Sequence, residues 1–85
     1  ELAMKTTSYT ITTYDLQRNP IRQTRHTSLQ SLWRYYQRAL ANVHPEGRGP
    51  QKPWSGYVSI RDDHGTRLEM DRDSTTGHIS MWTLD

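Results

Sequence analysis

The stretch TSLQSLWRYYQRALANV, from Thr27 to Val43, decides the fold class because its apolar residues recur at helical spacing. These residues are Leu29, Leu32, Trp33, Tyr36, Leu40 and Val43. The spacing places them along one side of an amphipathic helix. Thr27 and Gln30 have the spacing of a capping box, which predicts the start of the helix. Pro45 disfavours helical geometry in the residue before it and predicts the end.

Two strands are predicted before this helix. Residues 8–16 are rich in Thr, Tyr and Ile, which favour extended backbone. Residues 17–20 contain Asn and Pro, which favour a turn. Residues 21–26 are then expected to return as a second, more polar strand, so that the two strands form a hairpin.

Three further strands are predicted after the helix, at residues 54–61, 66–72 and 78–84, with turns at 62–65 and 73–77. In each strand apolar residues alternate with polar ones, which is typical of an antiparallel sheet with one buried face. The inward residues are predicted to be Val58, Ile60, Leu68, Met70, Ile79 and Met81. The sequence therefore predicts an α+β fold of order ββαβββ, a five-stranded, mostly antiparallel sheet with the amphipathic helix packed on one face.

A chain of 85 residues is long enough for a single domain. We interpret residues 1–3, which precede Met4, as an expression remnant, and residues 4–85 as the domain. Residues 45–53 hold three Pro and two Gly and are expected to form a loop, because neither flank could bury its own core. No apolar run reaches membrane-spanning length, so we expect a cytoplasmic protein with no membrane partner.

The composition argues against several kinds of chemistry. The absence of cysteine excludes a disulfide scaffold, a thiolate zinc site and a cysteine nucleophile. The histidines, at positions 26, 44, 64 and 78, do not have metal-ligand spacing. We therefore expect no catalytic residues, no metal and no cofactor. A small RNase that uses His64 beside Asp62 and Asp63 is a minor alternative, but Asp-Asp-His-Gly is also typical of a hairpin turn.

The net charge of +2 hides an uneven distribution. Residues 5–52 contain eight basic and two acidic residues, whereas residues 53–85 contain three basic and six acidic ones. Within the predicted helix, Arg34 and Arg38 lie one turn apart, with Tyr35 between them. Arginine binds phosphate through two parallel hydrogen bonds, and each phosphate contact adds salt-dependent affinity.

We therefore predict a non-enzymatic binding protein whose basic helix, hairpin and loop contact nucleic acid or a nucleoprotein complex. The residues expected to make this contact are Arg22, Arg25, Arg34, Tyr35, Arg38, Arg48 and Lys52. The alternative is that these arginines pair with carboxylates of the later strands, which would leave a solvated helix face. Small size and the lack of catalytic motifs are also typical of accessory proteins of phages and other mobile elements.

The sheet face opposite the helix is predicted to carry an aromatic cluster with one arginine. Its members are Tyr14, Tyr57, Arg67 and Trp82. Such a face suits stacking against bases or contact with a partner protein. The alternative function is therefore an inhibitor or adaptor, monomeric or homodimeric, that blocks a larger host or defence complex through this face. A purely structural alternative is that Trp82 folds over the sheet edge and is buried.

Overall fold

The computed structural model describes residues 7–46 and 55–84. The strands are β1 (Tyr9–Tyr14), β2 (Pro20–His26), β3 (Tyr57–Asp62), β4 (Arg67–Arg72) and β5 (Ile79–Thr83), and the helix is α1 (Leu29–Ala41). This order confirms the predicted α+β fold with one helix. The strand bounds differ from the predicted ones by up to three residues.

All five strands belong to one antiparallel sheet with the order β2-β1-β3-β4-β5. The N-terminal hairpin and the C-terminal meander are joined through the pairing of β1 with β3. Ile11 lies opposite Thr24 on one side and Ile60 on the other, and Ile60 lies opposite Leu68. Directly opposite residues share a face of the sheet, so the apolar residues of three strands come together.

Helix α1 packs on this apolar face and completes the core. The buried core residues are Ile11, Leu32, Tyr36, Ile60, Leu68 and Met70. Leu29 and Leu40, which belong to the predicted stripe, are 43% and 44% exposed, while Tyr35 and Ala39 are half-buried. The buried side of α1 is therefore rotated toward Tyr35 relative to the side that the spacing predicted.

The predicted capping box at Thr27 is wrong. The N-cap is Ser28, whose Oγ accepts a hydrogen bond from the backbone N–H of Ser31 at 3.3 Å. A capping box needs Glu or Gln three residues after the cap, and Ser31 occupies that position here. The helix ends at Ala41 with Asn42 as the C-cap, and Val43 instead forms an isolated parallel bridge with Ser55.

Each hairpin turn is stabilised by an aspartate whose side chain accepts hydrogen bonds from the backbone of the turn. Oδ1 of Asp15, of Asp62 and of Asp73 each accepts two backbone N–H groups from two to four residues further along, at 2.7–3.2 Å. Gly65 and Gly77 follow with positive φ, 81° and 79°. The predicted turns at 62–65 and 73–77 are therefore confirmed, and they have the backbone chemistry that favours Asp and Gly there.

Candidate nucleic-acid interface

Arg34 and Arg38 are exposed and lie on the part of α1 that is turned away from the buried residues Leu32 and Tyr36. The ion pairs among the described residues are His44–Glu46 at 3.4 Å and His64–Asp63 at 3.6 Å. Neither pair involves an arginine. Within residues 7–46 and 55–84, the two arginines therefore lack the carboxylate partners that a merely solvated, salt-bridged helix face would have.

The aspartates of the hairpin turns explain in part why Arg34 and Arg38 have no carboxylate partner among the described residues. Their carboxylates accept backbone N–H groups, so they are held at the ends of the hairpins. The hydrogen bonds from the N–H groups of Thr75 and Thr76, together with the nearby charge of Arg72, hold the pKa of Asp73 below its ordinary value. Acidic residues that stabilise turns in this way do not neutralise the arginines of α1.

The two arginines of β2 lie on opposite faces of the sheet. Arg22 is opposite Thr13, which shares the face of Ile11, and Arg25 is opposite Thr10, which lies on the other face. Both are exposed. Arg22 is thus on the helix side of the sheet, whereas Arg25 is not, so the structure does not bring all the predicted basic residues onto one surface. Arg48 and Lys52 fall outside the described residues.

Tyr35 differs from its arginine neighbours. It is half-buried against the core, and its ring centre lies 5.2 Å from that of His26. His26 in turn contacts the Oγ of Ser31 through Nδ1 at 3.0 Å and Oγ1 of Thr24 through Nε2 at 2.9 Å. Tyr35 therefore contributes to the packing of α1 against β2. Its contact with nucleic acid remains a prediction.

A cleft beside Arg34 is lined in part by residues that were not among the predicted binding residues. It lies between α1 and the β4–β5 hairpin, has a volume of about 370 Å³, and is lined by side chains that include Trp33, Arg34 and Arg72. The alternation of β4 is the signal that could have found Arg72, because it shares the parity of the buried Leu68 and Met70 and so points to the helix side.

The predicted aromatic residues mostly come together on the sheet face opposite α1. The ring centres of Tyr14 and Tyr57 are 5.4 Å apart, and Nη2 of Arg67 donates to the Tyr57 hydroxyl at 2.8 Å. Trp82 of β5 lies on the same face, opposite Glu69 of β4, so β4 separates it from Tyr57. Trp82 is 44% exposed and is therefore not buried over the edge.

A second cavity lies where β3 and β4 move apart. Their pairing is limited to Ile60–Leu68 and Arg61–Arg67, and beyond it a space of about 260 Å³ is lined in part by Tyr36, Ser59 and Glu69. Burial, and then the charge of Glu69, raise the pKa of the Tyr36 hydroxyl. The Ser59 hydroxyl is buried and has no hydrogen-bond partner among the described residues. No pattern in the sequence indicated this opening.

The residues of the RNase alternative lie in an ordinary turn. The side chain of His64 is 80% exposed, and its backbone N–H donates to Asp62. Within the described part of the chain, no group of three or more His, Asp or Glu residues is placed to hold a metal ion. No helix among the same residues has the length and apolar character needed to cross a membrane.

Comparison of the chain with protein-family models, with curated proteins and with solved structures gave no match.

Proposed function

We propose that this protein is a non-enzymatic binding protein that contacts the phosphates of nucleic acid, free or within a nucleoprotein complex, through the solvent side of α1. The observation that supports the proposal is the pair Arg34 and Arg38. Both are exposed, one helical turn apart, and free of carboxylate partners among the described residues.

The spacing of the two arginines has an energetic consequence. Like charges four residues apart on a helix destabilise it by about 0.2–0.5 kcal/mol. A bound phosphate removes this repulsion and accepts paired hydrogen bonds from each guanidinium. Release of counterions from the nucleic acid adds to the affinity and makes it depend on salt. Arg22, which is exposed on the helix side of the edge strand β2, is included in the proposed contact.

The test is fluorescence anisotropy with labelled DNA and RNA oligonucleotides over a range of salt concentrations. We expect binding at low salt, and in the double variant R34Q/R38Q a loss of about tenfold or more, with the slope of log affinity against log salt reduced by about two. The matched control is R61Q/R67Q, which changes the net charge equally but alters the opposite sheet face.

Two results would overturn the proposal. One is the absence of binding to DNA and RNA at low salt by a protein whose circular dichroism shows it to be folded. The other is an equal loss of affinity in the two double variants, which would mean that binding follows net charge rather than α1.

A second candidate function is an inhibitor or adaptor that binds a partner protein through the face opposite α1. The exposed Trp82 supports it, since large exposed aromatic residues are enriched at the centres of interfaces. Capture of a partner from host extract by the native protein, lost in W82A and kept in R34Q/R38Q, would favour this function over nucleic-acid binding. Capture that is unchanged in W82A would argue against it.

A further inference from the structure

The cleft between α1 and the β4–β5 hairpin has a lining suited to an anion with an aromatic part. The residues that line it include two arginines, Arg34 and Arg72, two glutamines, Gln30 and Gln37, and Trp33. No carboxylate is among the described residues that line it. Its volume of about 370 Å³ lies within the ordinary range of sites for small ligands, about 300–1,000 Å³.

Arg72 is positioned by the turn that follows it. Gly77 has φ of 79°, and a Cβ at this position would lie 3.1 Å from Nη2 of Arg72. The guanidinium thus lies against Gly77, and a side chain at this position would make an unusually tight contact with it. Asp73 is close enough to Arg72 for its pKa to be affected, but Oδ1 of Asp73 accepts the N–H groups of Thr75 and Thr76.

We infer that this cleft holds one unpaired nucleotide of a single strand. In this arrangement the phosphate is bound by Arg34 and Arg72, and the base lies against Trp33. Stacking of a base on an aromatic side chain contributes about 1–3 kcal/mol and needs no particular base. The amides of Gln30 and Gln37 each offer a donor and an acceptor to the edge of the base.

The inference rests on the proposed function and makes it more specific. Arg38 lies outside the cleft and contacts the backbone of single strands and duplexes alike. A base in a duplex is stacked and paired, so it cannot enter the cleft without being extruded, which costs free energy. The protein is therefore expected to prefer single strands, or unpaired ends, over blunt duplexes.

The experiment uses the emission of Trp33 as a reporter of the cleft. The chain has three tryptophans, so the variant W54F/W82F leaves Trp33 as the sole emitter. Titrants are a short single strand, a blunt two-stranded duplex of equal charge, a nucleoside monophosphate and an acidic peptide. We expect the single strand to quench Trp33 strongly, the monophosphate to quench it weakly, and the duplex and the peptide to leave the emission unchanged.

Single substitutions distinguish binding in the cleft from binding by the rest of the α1 surface. We expect R72Q and G77A to lower affinity for the single strand by at least about fivefold, because the phosphate in the cleft loses or weakens one of its two guanidinium contacts, and to change affinity for the blunt duplex less than about twofold. R38Q should weaken both complexes alike. R61Q, at an exposed arginine on the face of β3 opposite the helix, is the matched control. R72Q tests the site even where G77A fails to fold.

Each other result has a distinct meaning. Binding of the single strand and the duplex that depends on α1 but does not change Trp33 emission would overturn the inferred cleft site and leave the proposed function intact. Failure of every nucleic acid to bind would overturn both. Quenching by the acidic peptide equal to that by the single strand would overturn the assignment of a nucleotide and indicate an acidic protein partner.

Discussion

The guanidinium of Arg18 lies over the ring of Tyr57, with Cζ 5.6 Å from the ring centre. Among the described residues, Arg18 is also the one residue other than glycine that has a positive φ, 67°, and it lies in the turn between β1 and β2. A left-handed conformation costs a residue with a Cβ about 1–2 kcal/mol, whereas a cation over an aromatic ring at an exposed site gains about 0.5–1 kcal/mol. The contact with Tyr57 therefore offsets part of the strain in the turn.

Replacing Arg18 separates these two effects. Arg18→Ala removes the contact and keeps the strain, so we expect it to lower the free energy of unfolding by about 0.5–1 kcal/mol. Arg18→Gly removes both, so we expect it to be more stable than Arg18→Ala by about 1 kcal/mol. Urea denaturation of the three proteins checks this order. Equal stability of the two variants would show that the turn is not strained at Arg18.

Two buried serines predict opposite effects of the same substitution. The Ser59 hydroxyl has no partner among the described residues, so Ser59→Ala should leave stability unchanged or raise it by up to about 1 kcal/mol. The Ser55 hydroxyl donates to the carbonyl oxygen of Asn42 at 3.0 Å, so Ser55→Ala should lower stability by about 1 kcal/mol. Thermal and urea unfolding measure both. A clear loss in Ser59→Ala would show that its hydroxyl is hydrogen-bonded in solution.

The raised pKa of Tyr36 predicts how stability depends on alkaline pH. Burial and the Glu69 charge favour the neutral hydroxyl in the folded state, whereas the unfolded pKa stays near 10.0. The resulting stability is therefore fully present below the unfolded pKa and is lost as pH rises through the folded pKa. In Tyr36→Phe this part of the alkaline loss should disappear, and in Glu69→Gln it should decrease. Identical alkaline unfolding of the wild type and Tyr36→Phe would contradict the assignment.

Substitutions of Tyr35 can separate its contribution to stability from any contribution to nucleic-acid binding. Its half-buried ring packs against His26 and the core, so Tyr35→Ala should lower the free energy of unfolding by about 2 kcal/mol, roughly half the loss for a fully buried aromatic residue. Tyr35→Phe should be close to the wild type. Denaturant unfolding measures the effect. A folded Tyr35→Phe variant with reduced oligonucleotide affinity would place the Tyr35 hydroxyl in the nucleic-acid contact.

The predictable part of the fold is the part set by local periodicity. Alternation in the last three strands identified Leu68 and Met70 as inward residues, and both are buried. The start of α1 was missed because Thr27 and Ser28 are both good caps, and their backbone geometry decides between them. The pairing of β1 with β3 could not be predicted, since a hairpin and a meander can join through different edges.

In the candidate site, too, the features set by local spacing could be predicted, and those set by tertiary packing could not. Exposure of Arg34 and Arg38 follows from helical spacing alone, because they lie opposite the apolar side. The cleft does not follow, because it depends on which strands α1 crosses and on the space left by Gly77. The opening between β3 and β4 depends on where pairing stops, and the residues at that point have no distinctive composition.

The pairing of Tyr9 with Asp62 joins segments that are far apart in the chain, whereas the β1–β2 turn and the two turns of the meander join close neighbours. Contacts between distant segments close large loops, and the entropy lost in closing them slows folding. Folding kinetics should therefore be controlled by the seam between β1 and β3. Substitutions along that seam should change the refolding rate more than substitutions in the hairpin turns do.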